Sequence, residues 1–409
     1  MCRLPRIDRE ADAGCTVAIG REGMLMNTDM ADEAPSNVIL RNCRVVVGAD
    51  VVDRAWLQIV GGRIAEIGTG EPPLPGTDLG GAHVLPGFVD QHCHGGGGGD
   101  FGSLTPGVAE LGAATHLRHG TTTLVASLVT ATTAELLAQI EVLAPLVDDG
   151  TFAGIHLEGP WLSRHQCGAH DSTLLRSPDP DEVATLIDAG GGRVVMVTIA
   201  PELPGAIDAI RFLTDHGVVS AVGHTNGDAD ITRAAIDSGA HVATHLFNRM
   251  PPMDKRAPGP VLALLADPRV VVEFIADGVH IAPELISFVT ESIGADRVAV
   301  VTDAMGAAGA PSGNYHIGGL KVLVADGVAR LASSGALAGS TLTMDRALTV
   351  LMAAGCSLPT ASQMLSGTPA RAMGWADRGR LAPGLRADLV VLDAHWQVAR
   401  VMRGGSWVG

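Results

Sequence analysis

From residue 84 onward the chain repeats one pattern, a short apolar run followed by a stretch of helical periodicity. The apolar runs fall at 84–92, 121–127, 152–158, 194–200, 218–224, 240–245, 270–276 and 297–303. Helical patterns lie between them at 105–119, 133–147, 181–189, 204–216, 228–238 and 283–293. A strand that is apolar along both faces is buried on both faces, as in a parallel sheet covered by helices. Eight such units in succession predict an α/β fold, a (β/α)8 TIM-like barrel. The full length of 409 residues suits a large barrel with an appendage.

The flanks read differently. Residues 1–36 are polar and irregular and are expected to form a mobile N-terminal extension. Residues 37–69 carry β-type runs at 38–40, 44–47, 56–60 and 63–67, with Gly61-Gly62 as a hairpin signal. Glu71 to Gly76 is a proline-rich connector. The tail returns to short strands at 388–392, 398–402 and 406–408. The simplest organisation joins 37–83 and 375–409 in one small β-sandwich domain, with the catalytic barrel, 84–374, inserted between them. Residues 315–332 read as a hairpin-like insertion, and 341–354 and 360–373 as two more helices.

Asp plus Glu is 44 against 28 for Lys plus Arg, a net charge of −16. That excess disfavours nucleic acid and anionic membranes as partners, while local cations can still hold a small anionic substrate. The six cysteines are scattered without a C-x-x-C pair, which suits reduced thiols in the cytoplasm. No apolar run approaches the roughly 20 residues that cross a bilayer, and the N-terminus shows no signal-peptide pattern.

The strand ends carry the chemistry. His92 and His94 close the first run at i, i+2, a spacing that puts both imidazoles on one face. Glycines 95–99 follow, expected to let the loop pass close to a ligand. Glu158, His224, His245 and Asp303 close four later runs. One strand-end His or Asp often only caps a loop. Six on five strands, at the barrel end where active sites form, supply the nitrogen and carboxylate ligands that Zn²⁺ or a similar divalent ion takes. His156 shares the face of Glu158 and is read as structural, and most of His83, His116, His119, His165, His216, His241, His316 and His395 as solvated or structural.

The segments PGFVDQHCHGGGGGDF, GIHLEGPWLS, GAHD, VGHTN, ATHLFNRMPP, DGVH, VTDAMGAAG and ALAGSTLTMDRAL resemble the N-acetylglucosamine-6-phosphate deacetylases of the amidohydrolase superfamily, in the family's order, from about residue 37 to the end. The resemblance implies a cytoplasmic, homodimeric metal-dependent hydrolase acting on an amino-sugar phosphate. It implies Glu158, His224 and His245 as primary metal ligands, and His92 and His94 at a second metal position. Two zinc ions per subunit, or one with a vestigial second site, are both compatible with that set. Asp303 matches the catalytic acid/base, and His170 the histidine that polarises the acetyl carbonyl. Ala169, Asn248, Arg249, Asp277, His280, Leu337, Ala338 and Gly339 match sugar-contacting positions. Arg256 matches the phosphate ligand, reaching in from the neighbouring subunit. Arg249 stands where the family pattern has a small residue.

Other functions fit less well. A hydantoinase-like cyclic amidase needs a carbamylated lysine between two metals. The two lysines, Lys255 and Lys321, end no barrel strand, and Glu158 fills the expected place. A deacylase for unphosphorylated substrates is disfavoured by the Asn248 to Arg256 segment. A barrel kept only as a scaffold would have lost ligands or Asp303.

Overall fold

The computed structural model describes residues 37–409; the extension expected at 1–36 lies outside them. Its central sheet contains β1 (Phe88–Asp90), β2 (Thr121–Val129), β3 (Gly154–Glu158), β4 (Val194–Ile199), β5 (Val219–Val222), β6 (Val242–Ala243), β7 (Val271–Ile275) and β8 (Val298–Val301). Neighbours pair in parallel and in sequence order from β1 to β8. Side chains and loop backbone join β8 to β1. Thr302 donates through N and Oγ1 to the Asp90 carboxylate at 3.2 and 2.6 Å, and Asp303 N donates to His92 O at 2.8 Å.

Helices α1 (Val108–Arg118), α2 (Thr133–Asp148), α3 (Pro180–Gly190), α4 (Ala206–Asp215), α5 (Ala229–Asp237), α6 (Gly259–Ala266), α7 (Pro283–Ile293) and α8 (Met344–Ala353) follow in chain order. Their starts are specified locally. Thr132 and Glu135 form a reciprocal capping box at α2, and the side chains of Asp179 and Asp228 cap α3 and α5. Leu136, Ile140 and Leu143 form the buried stripe of α2, and Ala206, Ala209, Ile210 and Leu213 that of α4. Helix α6 is absent from the sequence reading. Its residues, GPVLALLA, show no polar face to mark a period, and Pro258 and Pro260 read as loop, although proline is tolerated in a first turn. The helix expected at 360–373 is divided, with a wide turn at Gln363–Gly367 between Leu358–Ser362 and Thr368–Ala372.

The small β domain is one mixed sheet drawn from both ends of the described chain. Its strands run in the order 406–407, 398–403, 389–392, 83–86, 37–47, 50–60 and 63–69, with 77–78 beside 37–47. Leu40, Leu57, Ile59, Val84, Leu389 and Met402 belong to its own buried cluster. The run expected as one strand over 84–92 is divided at Gly87. His83–Pro86 pairs within this sheet, and Phe88–Asp90 pairs with β2. A Cβ at Gly87 would lie 2.1 Å from Thr122 Oγ1, so only glycine fits between the two sheets. The sheets therefore meet at residue 87, within the stretch assigned from sequence to the barrel. The insertion is three antiparallel strands, 313–317, 320–325 and 328–331, which bring Ile317 to the cavity described next.

Candidate active site

Four histidines, Glu158 and Asp303 converge at the C-terminal ends of the barrel strands. His224, His245 and Asp303 lie just past β5, β6 and β8, with positive φ of 47, 29 and 45°. Left-handed backbone at non-glycine residues is uncommon and clusters at functional sites. Each residue thus sits where the chain leaves its strand. Glu158 ends β3, while His92 and His94 follow β1.

Glu158 stands between two imidazole pairs. Its Oε1 lies 3.1 Å from both His224 Nε2 and His245 Nε2, which are 3.0 Å apart. Its Oε2 lies 3.1 Å from His94 Nε2, which is 3.1 Å from His92 Nε2. Asp303 Oδ1 is 3.3 Å from His94 Nε2 and 3.6 Å from His92 Nε2. Every one of these six residues is buried.

The opposite ring nitrogens fix the proton positions. His92 Nδ1 faces Glu273 Oε2 at 3.2 Å, His94 Nδ1 faces Ser127 O at 3.1 Å, and His224 Nδ1 faces Gln166 O at 2.7 Å. Carbonyl and carboxylate oxygens only accept, so each Nδ1 carries the proton and each Nε2 presents a lone pair inward. Lone pairs about 3 Å apart repel unless a cation lies between them. Ligand atoms about 2.1 Å from a tetrahedral ion stand about 3.4 Å from one another, close to these spacings. The carboxylates reinforce that preference. Against the opposing effect of burial, Glu158 and Asp303 hold His92 well above its ordinary pKa and raise His94 to about 9, so without a metal ion a proton takes the cation's place on these rings. Among the described residues three clusters bring potential ligand atoms within 4.8 Å of one another; His92–His94–Asp303 and Glu158–His170–His224 lie in this site and fit one or two divalent ions, and Asp90–Cys93–His116 is the third.

His170 is oriented differently. Its Nδ1 lies 2.9 Å from Thr130 Oγ1 and 3.3 Å from Thr130 N, and its Nε2 faces Glu158 Oε2 at 3.3 Å, an oxygen that only accepts, so Nε2 carries a proton. A hydrogen-bond donor thus points into the site.

These groups open onto a cavity of about 340 Å³, lined also by Ala169, Phe247, Asn248, Arg249, Met250, His280, Leu337 and Gly339. Arg249 is part of this wall. A Cβ on Gly168 would lie 3.0 Å from its Nε, so the glycine makes room for the guanidinium. Asp277 and Ala338 lie behind the wall. Asp277 Oδ2 faces His280 Nδ1 at 2.7 Å and holds that ring, while Ala338 is fully buried in a cluster with Met305, Ile317 and Leu331. Arg256 is exposed on the loop after β6 and lines no part of the cavity in the single chain. None of Gly95 to Gly99 lines it either, contrary to the sequence reading. Gly97 N and Gly98 N donate to Ala308 O and Gly306 O at 2.7 Å each, so the run approaches neighbouring backbone instead. His156 is buried between Ser127 Oγ and Thr198 Oγ1, at 2.9 and 2.8 Å. Burial lowers His116 to about 4.

Sequence reading missed Glu273. It is fully buried in β7, faces His92 Nδ1, and accepts from Gln91 Nε2 at 2.7 Å and His245 N at 3.2 Å. Its only signal is a lone carboxylate inside the apolar strand VVEFI.

The amidohydrolase family model matches residues 83–408. An N-acetylglucosamine-6-phosphate deacetylase of Lysinibacillus sphaericus is 31% identical over 381 residues, covering 90% of this chain and 97% of that protein. An N-acetylgalactosamine-6-phosphate deacetylase of Escherichia coli O157:H7 is 35% identical, covering 90% and 98%. Among solved structures, N-acetyl-D-glucosamine-6-phosphate deacetylase from Mycobacterium smegmatis, a mutant in complex with N-acetyl-D-glucosamine-6-phosphate, is 48% identical. It superposes with a TM-score of 0.89 over 91% of this chain and 99% of that one. The strand-end carboxylates and imidazoles therefore sit in a matched barrel from one end to the other, and the chain belongs to the amidohydrolase family.

Proposed function

We propose that this protein hydrolyses the acetamide of N-acetyl-D-glucosamine 6-phosphate, giving D-glucosamine 6-phosphate and acetate. The observation that carries the reading is Glu158 set between two pairs of imidazole Nε2 atoms, with Asp303 and the His170 Nε2–H on the same cavity. Glu158, His224 and His245 would hold one divalent ion, with zinc the ion expected, and His92 and His94 would hold a second. A divalent ion there supplies a water of pKa about 7 and polarises a carbonyl.

The chain's own groups complete the reaction. Asp303 takes the proton of the attacking water and delivers it to the departing amine nitrogen. His170 donates from Nε2 to the carbonyl oxygen as negative charge develops there. Asn248, Arg249 and His280 line the cavity and would orient the sugar, with Ala169, Leu337 and Gly339 supplying backbone and shape. Asp277 and Ala338 would act from behind the wall.

Arg256 would bind the 6-phosphate in a neighbouring subunit of a homodimer, a reading supported by its exposure and by its absence from the wall of its own cavity. Proline at 251, 252, 258 and 260 stiffens its loop. Among the described residues Cys43, Cys93, Cys167 and Cys356 are all free thiols, and no helix is long and apolar enough to cross a membrane. The free thiols support a cytoplasmic enzyme. In domain terms we assign the barrel the catalytic role, and the sheet from both flanks a supporting one.

The 35% identity to a galactosamine-series deacetylase makes the C4 epimer the second substrate to assay. Acetate release from N-acetylglucosamine 6-phosphate, its C4 epimer and unphosphorylated N-acetylglucosamine tests the reading. Fastest turnover of the unphosphorylated sugar would overturn it.

A further inference from the structure

At the opposite end of the barrel, a cavity of about 430 Å³ lies between the start of β2, the loop before β3 and the C-terminal segment. Thr123, in its wall, is six residues from Val129 at the active cavity, about 20 Å along an extended strand. The two cavities are therefore separate.

Three guanidinium groups, those of Arg378, Arg386 and Arg403, line this volume in a chain of net charge −16. Arg378 Nε donates to Asp377 and Arg386 Nε to Asp388, each at 2.8 Å. Arg403 has no carboxylate partner among the described residues, and its Nη2 donates to Gly150 O. Asp149 is the carboxylate in the wall, and its Oδ1 already accepts from Thr151 N at 2.8 Å. Burial lowers the pKa of Arg403 from its usual value, and Arg386 and Arg378 add to this against the opposing Asp388 and Asp149. Independently of the charges, Thr123 is fully buried, and its hydroxyl has no hydrogen-bond partner.

We propose that this cavity is an anion site for a small phosphate-class oxyanion, free phosphate or a phosphate monoester, that ties the small β domain to the barrel. The fork of a guanidinium matches phosphate oxygens, and charge-assisted bonds of this kind are strong when partly buried. The volume admits a phosphate with a small ester group. The arginines come from the C-terminal segment, and Thr123 and Gly150 from the barrel, so a bound oxyanion would bridge the two. The competing role for Arg403 is capping carbonyls beyond the C-terminal end of α2.

The test uses the full chain, titrated with inorganic phosphate and with glucose 6-phosphate against chloride of matched ionic strength. Calorimetry counts classes of site, and thermal unfolding reads the linked rise in Tm. Arg403→Gln should weaken one class of phosphate site about tenfold or more and remove most of the Tm rise. Thr123→Val keeps the side-chain shape; it should weaken the same class several-fold while leaving the phosphate-free Tm no lower, since it removes an unpartnered buried hydroxyl, and kcat unchanged. Binding of both ligands identifies a site that admits an ester, and binding of phosphate alone a site for the free ion. The proposal is overturned if both variants keep the wild-type phosphate response, or if chloride raises Tm equally. It is likewise overturned if Arg403→Gln lowers the phosphate-free Tm and keeps the full phosphate increment, because the arginine is then only a cap.

Discussion

Replacing Glu273 should separate metal affinity from hydrogen bonding in a way the geometry specifies. The carboxylate receives three donors: Gln91 Nε2 at 2.7 Å, His92 Nδ1 at 3.2 Å and His245 N at 3.2 Å. Glu273→Leu strands all three in a fully buried setting. Each orphaned donor costs about 1–3 kcal/mol, so the metal-free protein should lose roughly 3 kcal/mol or more. His92 also loses the group that fixes its proton on Nδ1, and such partners are typically worth about 10–100-fold in metal affinity.

Glu273→Gln should behave differently. Its amide oxygen can still accept from His92 and His245, which turns its NH2 toward Gln91. Gln91 Oε1 has no partner at present, so that amide can flip and accept. Most of the folding stability should survive, with metal affinity reduced by about tenfold, or about 1.4 kcal/mol, through loss of the charge beside His92. Competition against a coloured chelator measures the affinity, and urea unfolding of metal-free protein measures the stability. Wild-type affinity in Glu273→Leu would refute the positioning of His92. Equal destabilisation in both variants would refute the exchange of bonds with Gln91.

Asp303→Asn should keep metal while lowering kcat at least about 10²-fold, since the amide cannot carry a proton at neutral pH; single-turnover acetate release checks this. Arg256→Ala should lower kcat/KM for the 6-phosphate substrate far more than for N-acetylglucosamine. Mixed dimers of Arg256→Ala and Asp303→Asn subunits should regain activity if the arm acts in trans. Asp345 is held below its ordinary pKa, burial opposing and the bond to His119, 2.7 Å away, prevailing. A carboxyl depressed in the folded state contributes stability above its unfolded pKa, near 3.9, and loses it as pH falls through the folded value. Acid unfolding of Asp345→Asn should therefore fall less steeply than wild type below about pH 4.

The barrel was legible because its strands are apolar on both faces and six of the seven intervals between them read at helical period. The site was legible because Glu158, His224, His245 and Asp303 each stand where an apolar run stops. What stayed hidden depends on partners distant in sequence. Glu273 looks like a misplaced charge until the fold brings Gln91 and His92 to it across 182 and 181 residues. The division at Gly87 follows from the approach of Thr122, which no local pattern announces. Glycines 95–99 signal close approach correctly, but not that the neighbours are the backbone of 306–308 and helix α1. Helix α6 lacks a polar face and so lacks a period. Arg256 can be assigned no phosphate from the single chain, because it is exposed and lines no part of its own cavity.

The most direct test of the central claim pairs metal content with turnover. Wild type and His92→Asn/His94→Asn would be analysed for bound divalent ions, then assayed for acetate release from N-acetylglucosamine 6-phosphate before chelation, after it, and after restoring zinc. The account predicts fewer ions per chain in the double variant, loss of turnover in both proteins on chelation, and recovery of the wild type with zinc. Full acetate release from rigorously metal-free wild-type protein would contradict it.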